Sequence, residues 1–164
     1  MHDAGVAEPD CDHDVVRAVY EDVHKRLWRA VLAYSGSRHV ADEAVAEAFA
    51  QLLRRGSAVS NPEGWVWRSA FRIAAGELAA RSDLGSVEDL PEVAAVDVES
   101  AMDLLRALSA LSSQQRACVV LCDLQDLTVA RTADLLGTSS PTVRVQRMRA
   151  RRRLRVLLEA DDVA

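Results

Sequence analysis

No apolar run in the 164-residue chain approaches the roughly 20 residues that a helix needs to cross a bilayer. Alternation of apolar and polar residues with period two is nowhere sustained over a strand length, which removes β architectures from consideration. The three cysteines, Cys11, Cys118 and Cys122, are odd in number and poorly spaced for a disulfide framework, and they fit a reducing compartment. There is no phosphate-binding glycine loop, no Ser/His/Asp set and no pair of carboxylates in a plausible cleft, so the chain does not read as an enzyme. Cys11, Asp12, His13 and Asp14 offer one thiol and one imidazole without a second cluster, which is too little for a metal site. Neither metal nor cofactor is expected. Met1 to Asp14 carries no Lys or Arg, unlike the basic start of a signal peptide, so the expectation is a cytoplasmic protein that does not enter a membrane.

What the chain does contain is charge in blocks. Met1 to Asp14 holds five acids, and Ser82 to Ser100 holds six, namely Asp83, Glu88, Asp89, Glu92, Asp97 and Glu99. With these −5 and −6 segments set aside from a formal net charge of −5, the remainder carries +6. The pattern predicts an acidic disordered tail over 1–13, a basic module over 14–81, a flexible acidic linker over 82–100 and a second basic module over 101–160. Gly85 and Pro91 keep the linker from reading as a stable helix.

Apolar residues recur at helical spacing in both modules, so the fold class is all-α. A first helix is expected over about 14–34, with Val16, Val19, Val23, Leu27 and Val31 on one face. A second spans about 38–55, with Ala41, Ala44, Val45, Ala48, Phe49 and Leu52 inward and Gly56 as a left-handed C-terminal cap. Asn61, Pro62 and Glu63 form the strongest start signal in the chain and open a third helix that runs to about Arg81. Beyond the linker, helices are expected over about 102–111, from Ser112 or Ser113 to about Leu124, over 129–136, and over about 140–158.

The last two helices, joined through Gly137, read as a helix-turn-helix, with Ala133 as the small residue at their crossing. Seven arginines fall between Arg144 and Arg155 with no acid among them. At 100° per residue, Val143, Ala150 and Leu154 point inward, while Pro141, Arg144, Val145, Met148, Arg149 and Arg152 share the opposite face. Residues at the helix start, from Ser140 and Thr142 onward, are placed to meet base edges, and arginines further along to meet phosphates. Arg147 lies about 40° from Val143, so its stem is expected on the core with its head reaching out. In the third helix Trp65, Arg68 and Arg72 fall together at i, i+3 and i+7, an aromatic beside two guanidiniums that suits unpaired bases. Trp67 and Phe71 read as core. Cys118 sits in an apolar run, and Cys122 is expected to be partly exposed.

These segments together resemble a known family. Leu111-Ser-Ser-Gln-Gln-Arg-Ala-Cys-Val-Val-Leu121, Leu127-Thr-Val-Ala-Arg-Thr-Ala-Asp-Leu-Leu-Gly137, Pro141-Thr-Val-Arg144 and Arg149-Ala-Arg151 are similar to region four of the extracytoplasmic-function (ECF) sigma factors of bacterial RNA polymerase. Asp42-Glu-Ala-Val-Ala-Glu-Ala-Phe49 and Trp65-Val-Trp-Arg-Ser-Ala-Phe71 resemble that family's region two. The resemblance implies a factor that binds core RNA polymerase and directs promoter-specific initiation. Asp42, Glu43, Glu47 and Phe49 would dock on the β′ clamp helices, and the second module would engage the β flap. Trp65, Arg68 and Arg72 would contact single-stranded minus-ten DNA, and the last helix would read the minus-thirty-five duplex. An anti-sigma partner, and a linker that threads a basic channel of the polymerase, are implied in the same way. The chain departs from the family along this helix, where Arg72, Gly76, Ala79 and Ala80 stand at about the positions of an asparagine, an aspartate and a basic cluster, leaving only Arg81. Fewer phosphate contacts should follow. That departure keeps open a polymerase-binding regulator that has lost promoter opening, and a stand-alone helix-turn-helix repressor that binds as a dimer is a second alternative.

Overall fold

The computed structural model describes residues 10–81 and 98–162 and is all-α, with no strand among the described residues. Three helices form the first module: α1 (Asp10–Ser35), α2 (Arg38–Arg55) and α3 (Pro62–Arg81). The second contains α4 (Val98–Ser109), α5 (Ser113–Val119), a π-helical turn (Val120–Leu124), α6 (Val129–Leu136) and α7 (Ser140–Asp161). The acidic segment from 82 to 97 and the first nine residues lie outside the described residues.

Local signals set most of the boundaries. Ser37 caps α2 by accepting from the Val40 N–H at 3.3 Å. Asn61 Oδ1 accepts from the Gly64 N–H at 3.1 Å and so opens α3 behind Pro62. Ser112 and Gln115 form a reciprocal capping box on α5. Gly56 ends α2 but is not in the left-handed helical region that was expected. Its φ of 51° and ψ of −132° lead into a 3₁₀ turn over Gly56–Ala58.

α1 begins at Asp10, four residues before the expected boundary at 14, so residues 10–13 are not part of a disordered tail. Acids suit the positive end of a helix, and Asp12 is also anchored, its Oδ2 accepting from the Ser57 N–H at 3.2 Å. α4 begins at Val98, inside the segment assigned to the linker, with Glu99 in its first turn serving the same electrostatic role. Helix α5 passes into the π turn, where the Gln125 N–H reaches the Val120 carbonyl at 3.1 Å. A π turn inserts one residue into the helical register and rotates everything after it.

The inward faces are as the periodicity indicates. Val23, Leu27, Val31, Leu52, Val66 and Trp67 are buried at the centre of the first module, each such side chain contributing roughly 1.5–3 kcal/mol relative to exposure. The same apolar cluster continues into the second module through Leu108, Leu111, Val119, Val120, Leu121, Leu135 and Ala150. The two modules are therefore docked on each other, not held apart. α1 packs against α4, α5 and the π turn, and α3 packs against α6. Tyr34 and Ser113 hydroxyls hydrogen-bond at 2.6 Å across the junction, and Arg116 Nη1 donates to the Tyr34 carbonyl at 3.0 Å.

Candidate nucleic-acid and polymerase interface

Helix α7 is held by its inner face and presents its outer one. Val143 and Ala150 are fully buried and Leu154 packs against the core. Ser139 caps the helix by accepting from the Thr142 N–H at 3.3 Å, with Pro141 in its first turn. Gly137, at φ 64° and ψ 36°, makes the left-handed turn that reverses the chain between α6 and α7. Ala133 is buried where those helices cross. The outer face carries Pro141, Arg144, Val145, Met148, Arg149 and Arg152, all exposed, while Ser140 and Thr142 are half-buried. Val145 and Met148 are 40% and 46% exposed. Large apolar side chains on the same face as guanidiniums that make no salt bridge with a described residue suit the thymine methyls and phosphates of a major groove.

The seven arginines divide into two groups. Arg144, Arg149, Arg152, Arg153 and Arg155 form no salt bridge with a described residue, whereas Arg147 and Arg151 both bind Asp123. Arg147 Nε lies 3.1 and 3.2 Å from the two carboxylate oxygens and its Nη2 is 2.6 Å from Oδ1. Arg151 Nε donates to Oδ2 at 3.2 Å, and its Nη2 to Oδ1. Partial burial on its own would raise the Asp123 carboxyl, but these bonds and charges outweigh it and hold the group below the usual carboxylate range. The stem of Arg147 lies inward as expected, but its head turns to Asp123 instead of outward.

On α3, Trp65 is half-buried while Arg68 and Arg72 are exposed. The guanidinium of Arg55 lies 5.9 Å over the Trp65 ring. Trp65 and Arg68 line a cleft of about 340 Å³ together with Arg55, Arg131 and Asp134. Arg68 and Arg72 line a neighbouring cleft of about 360 Å³ against Leu135, Leu136 and Gly137. Both clefts lie between α3 and the helix-turn-helix. Arg68 Nη2 donates to the Asp134 carbonyl at 3.2 Å, and Arg131 pairs with Glu63 at 3.5 Å. The aromatic and basic face of α3 is thus brought together as expected, and it borders α6 while Arg68 and Arg72 remain exposed.

On α2, Asp42, Glu43 and Glu47 are exposed along one side. Asp42 accepts from the Trp28 indole at 2.7 Å, and Glu43 lies 3.3 Å from His39. Glu47 accepts from Gln51 and Arg54, which keep its carboxyl below the usual value. Phe49, grouped with these as a docking residue, is only 6% exposed and meets Tyr20 edge-on at 5.0 Å. It supports the helix from within and does not present a surface, because the heptad-like inward stripe of α2 includes it.

Residues 101–154 match the family Sigma-70, region 4. An ECF RNA polymerase sigma factor of Mycobacterium tuberculosis, SigM, is 34% identical over 145 residues, covering 82% of this chain and 72% of the relative. The chain belongs to the ECF RNA polymerase sigma factors. SigE of Mycolicibacterium smegmatis is 31% identical over 147 residues, covering 79% of the chain and 56% of that protein. The fold is also that of solved sigma structures. RpoE from Bartonella quintana, in complex with the anti-sigma factor NepR, gives a TM-score of 0.73 at 20% identity, covering 88% of this chain and 97% of that one. CnrH, in complex with the cytosolic domain of CnrY, gives 0.70 at 19% identity over 93% of both chains.

The activity of this sigma factor is accordingly to direct promoter-specific initiation by RNA polymerase. Two of its structural residues escaped sequence reading. Arg116 is half-buried at the module junction, where its guanidinium also donates to the Ser109 and Leu111 carbonyls at 3.2 and 3.0 Å. A burial signal for an arginine within Ser113–Val119 does not exist in the sequence, since its acceptors are backbone carbonyls. Asp123 is separated from its partners by 24 and 28 residues, beyond any helical spacing rule. Cys122, expected to be partly exposed, is buried at 4% and contacts the Thr132 hydroxyl at 3.3 Å. It lies one turn after Cys118 and packs in the same small cluster as Ala133 and Val143. Burial pushes the Cys118 thiol up to about 11, with Cys122 adding to the shift.

Proposed function

We propose that this sigma factor reads the minus-thirty-five duplex through Ser140, Pro141, Thr142, Arg144, Val145, Met148, Arg149 and Arg152, and the minus-ten single strand through Trp65, Arg68 and Arg72. The carrying observation is the outer face of α7, where exposed Val145 and Met148 lie among guanidiniums that make no salt bridge with a described residue. Asp42, Glu43 and Glu47 supply an acidic stripe for the β′ clamp helices, and the second module meets the β flap. The protein acts as a binding factor, not a catalyst, in the cytoplasm, and joins the nucleoid when bound to polymerase. An anti-sigma factor is its inhibitory partner.

Docking of the modules adds a requirement to this reading. Trp65 and Arg68 line a cleft against α6, and Arg68 donates to the Asp134 carbonyl, so full engagement of a single strand by this face calls for α3 to part from the helix-turn-helix. Residues 82–97 supply covalent reach enough for that, since sixteen residues can span up to roughly 50 Å. The exposed positions Gly76, Ala79 and Ala80 bring no charge to the end of α3, and Arg81 is engaged with the Ser37 hydroxyl at 3.4 Å. Weak minus-ten phosphate binding should follow, offset by reliance on α7 and polymerase.

In vitro transcription with core polymerase and genomic DNA tests the proposal. New transcripts whose start sites share a pair of asymmetric upstream elements are expected. Transcripts with a shared minus-thirty-five element alone would remove the α3 assignment. No specific transcript at all would leave a regulator without promoter opening, and palindromic sites bound without polymerase would indicate a stand-alone helix-turn-helix regulator.

A further inference from the structure

Asp123 has a geometry more specific than a surface ion pair. The π turn projects its carboxylate toward α7, where two arginines one helical turn apart, Arg147 and Arg151, both reach it through Nε and Nη2. A carboxylate offers about four lone-pair sites, and these contacts occupy its acceptor capacity. The Asp123 and Arg147 side chains are only 21% and 29% exposed, while Arg151 is 53% exposed. The pair with Arg147 is thus shielded, and the one with Arg151 stands at the edge of the DNA-facing surface.

Arg151 lies seven residues beyond Arg144, which places the two within about 20° of each other around the helix. A released Arg151 head would therefore extend the line of phosphate contacts begun by Arg144. Arginine forks bind carboxylate and phosphate oxygens with the same side-by-side donor geometry. We propose that Asp123 is an internal substitute for a DNA phosphate: it withholds Arg147 and Arg151 from the duplex backbone and thereby limits how strongly the free sigma factor binds DNA. This rests on α7 being the duplex-binding face. It also explains how an unopposed row of arginines avoids becoming a general DNA trap, since two of the seven are already satisfied within the fold.

Fluorescence anisotropy of the full chain with a short labelled duplex of arbitrary sequence, titrated with KCl, distinguishes the outcomes. The logarithmic salt dependence steepens by about 0.9 for each added phosphate contact. Asp123→Asn should bind more tightly at low salt and steepen the slope by one to two such increments. Arg151→Gln should leave the wild-type slope unchanged, because Arg151 makes no phosphate contact while Asp123 holds it. This second variant keeps the proposal testable even where Asp123→Asn lowers the thermal midpoint. A shallower slope for Arg151→Gln, or an unchanged slope for a folded Asp123→Asn, overturns the phosphate-substitute role while leaving α7 as the DNA face. An Arg144→Gln control reports on that face separately: a slope shallower by about one increment supports α7 as the duplex-binding face, whereas an unchanged slope removes that reading of α7, and the proposal with it.

Discussion

Replacing Arg116 with Met would keep an apolar stem of similar length and remove the guanidinium from the junction of the two modules. Three carbonyls lose a donor: Tyr34 at 3.0 Å, Ser109 at 3.2 Å and Leu111 at 3.0 Å. Ser109 is exposed, so water can replace that bond, but Tyr34 and Leu111 are buried residues. A buried acceptor left unsatisfied costs about 1–3 kcal/mol, which gives roughly 2–6 kcal/mol for two. Relief acts in the other direction. Burial already pulls the Arg116 guanidinium below its ordinary pKa, and its Nε is buried without a partner among the described residues, so removing it recovers about 1–2 kcal/mol of desolvation. Taking the midpoints, about 4 less about 1.5, the Met variant should be destabilised by about 2–3 kcal/mol in urea unfolding followed by circular dichroism. Tyr34→Phe, which deletes only the 2.6 Å hydroxyl pair with Ser113, should cost about 0.5–1.5 kcal/mol. A change below about 0.5 kcal/mol for Arg116→Met would mean that these bonds do not hold the junction.

Other substitutions address single features. Arg144→Ala should weaken minus-thirty-five recognition by about 1–3 kcal/mol if its contact is to a base edge; footprinting of the polymerase complex on matched and mutated promoters measures this, and an unaltered preference removes Arg144 from the set. Asp126 holds a positive φ of 54°, so Asp126→Gly should stabilise the chain by up to about 1 kcal/mol, read from the urea midpoint; a lower midpoint would contradict it. The Asp123 carboxyl is lower in the folded state than its unfolded value near 3.9. Its contribution is then fully present above that value and is lost as pH falls through the folded one. Urea midpoints for wild type should drop more steeply below about pH 4 than those of Asp123→Asn, and parallel curves would refute the coupling.

The parts of the fold that were legible in the sequence are those governed by neighbours along the chain. Ser37 and Gly56 bracket α2, Thr128 and Gly137 bracket α6, and both helices occupy the expected ranges because caps and glycine stops are local events, although Gly56 stops α2 in a conformation other than the left-handed cap expected. The inward stripe of α7 was legible for the same reason: Val143, Ala150 and Leu154 need only helical geometry to share a face. What escaped depends on distance. The π turn leaves no periodic trace, because one five-residue loop of hydrogen bonding is shorter than any window in which period can be judged. Docking of the modules was hidden because Leu108, Leu111 and Leu135 satisfy an inward-facing pattern whether they bury against their own module or the other. The candidate site divides similarly. Which residues lie on the outer face of α7 follows from spacing, but which arginines are free there depends on Asp123, a residue of another element.

The core shared by the modules also has a consequence for the chain as a polymer. Because one apolar cluster joins α1 to α5 and α7, the covalent connection between residues 81 and 98 is not what keeps the halves together. A chain cut within that interval should persist as a non-covalent heterodimer whose melting depends on concentration, as for any associating pair, and fragments expressed separately should find each other. Wherever the modules part, the apolar faces they share must be taken up by another surface, so opening and partner binding become one thermodynamic event.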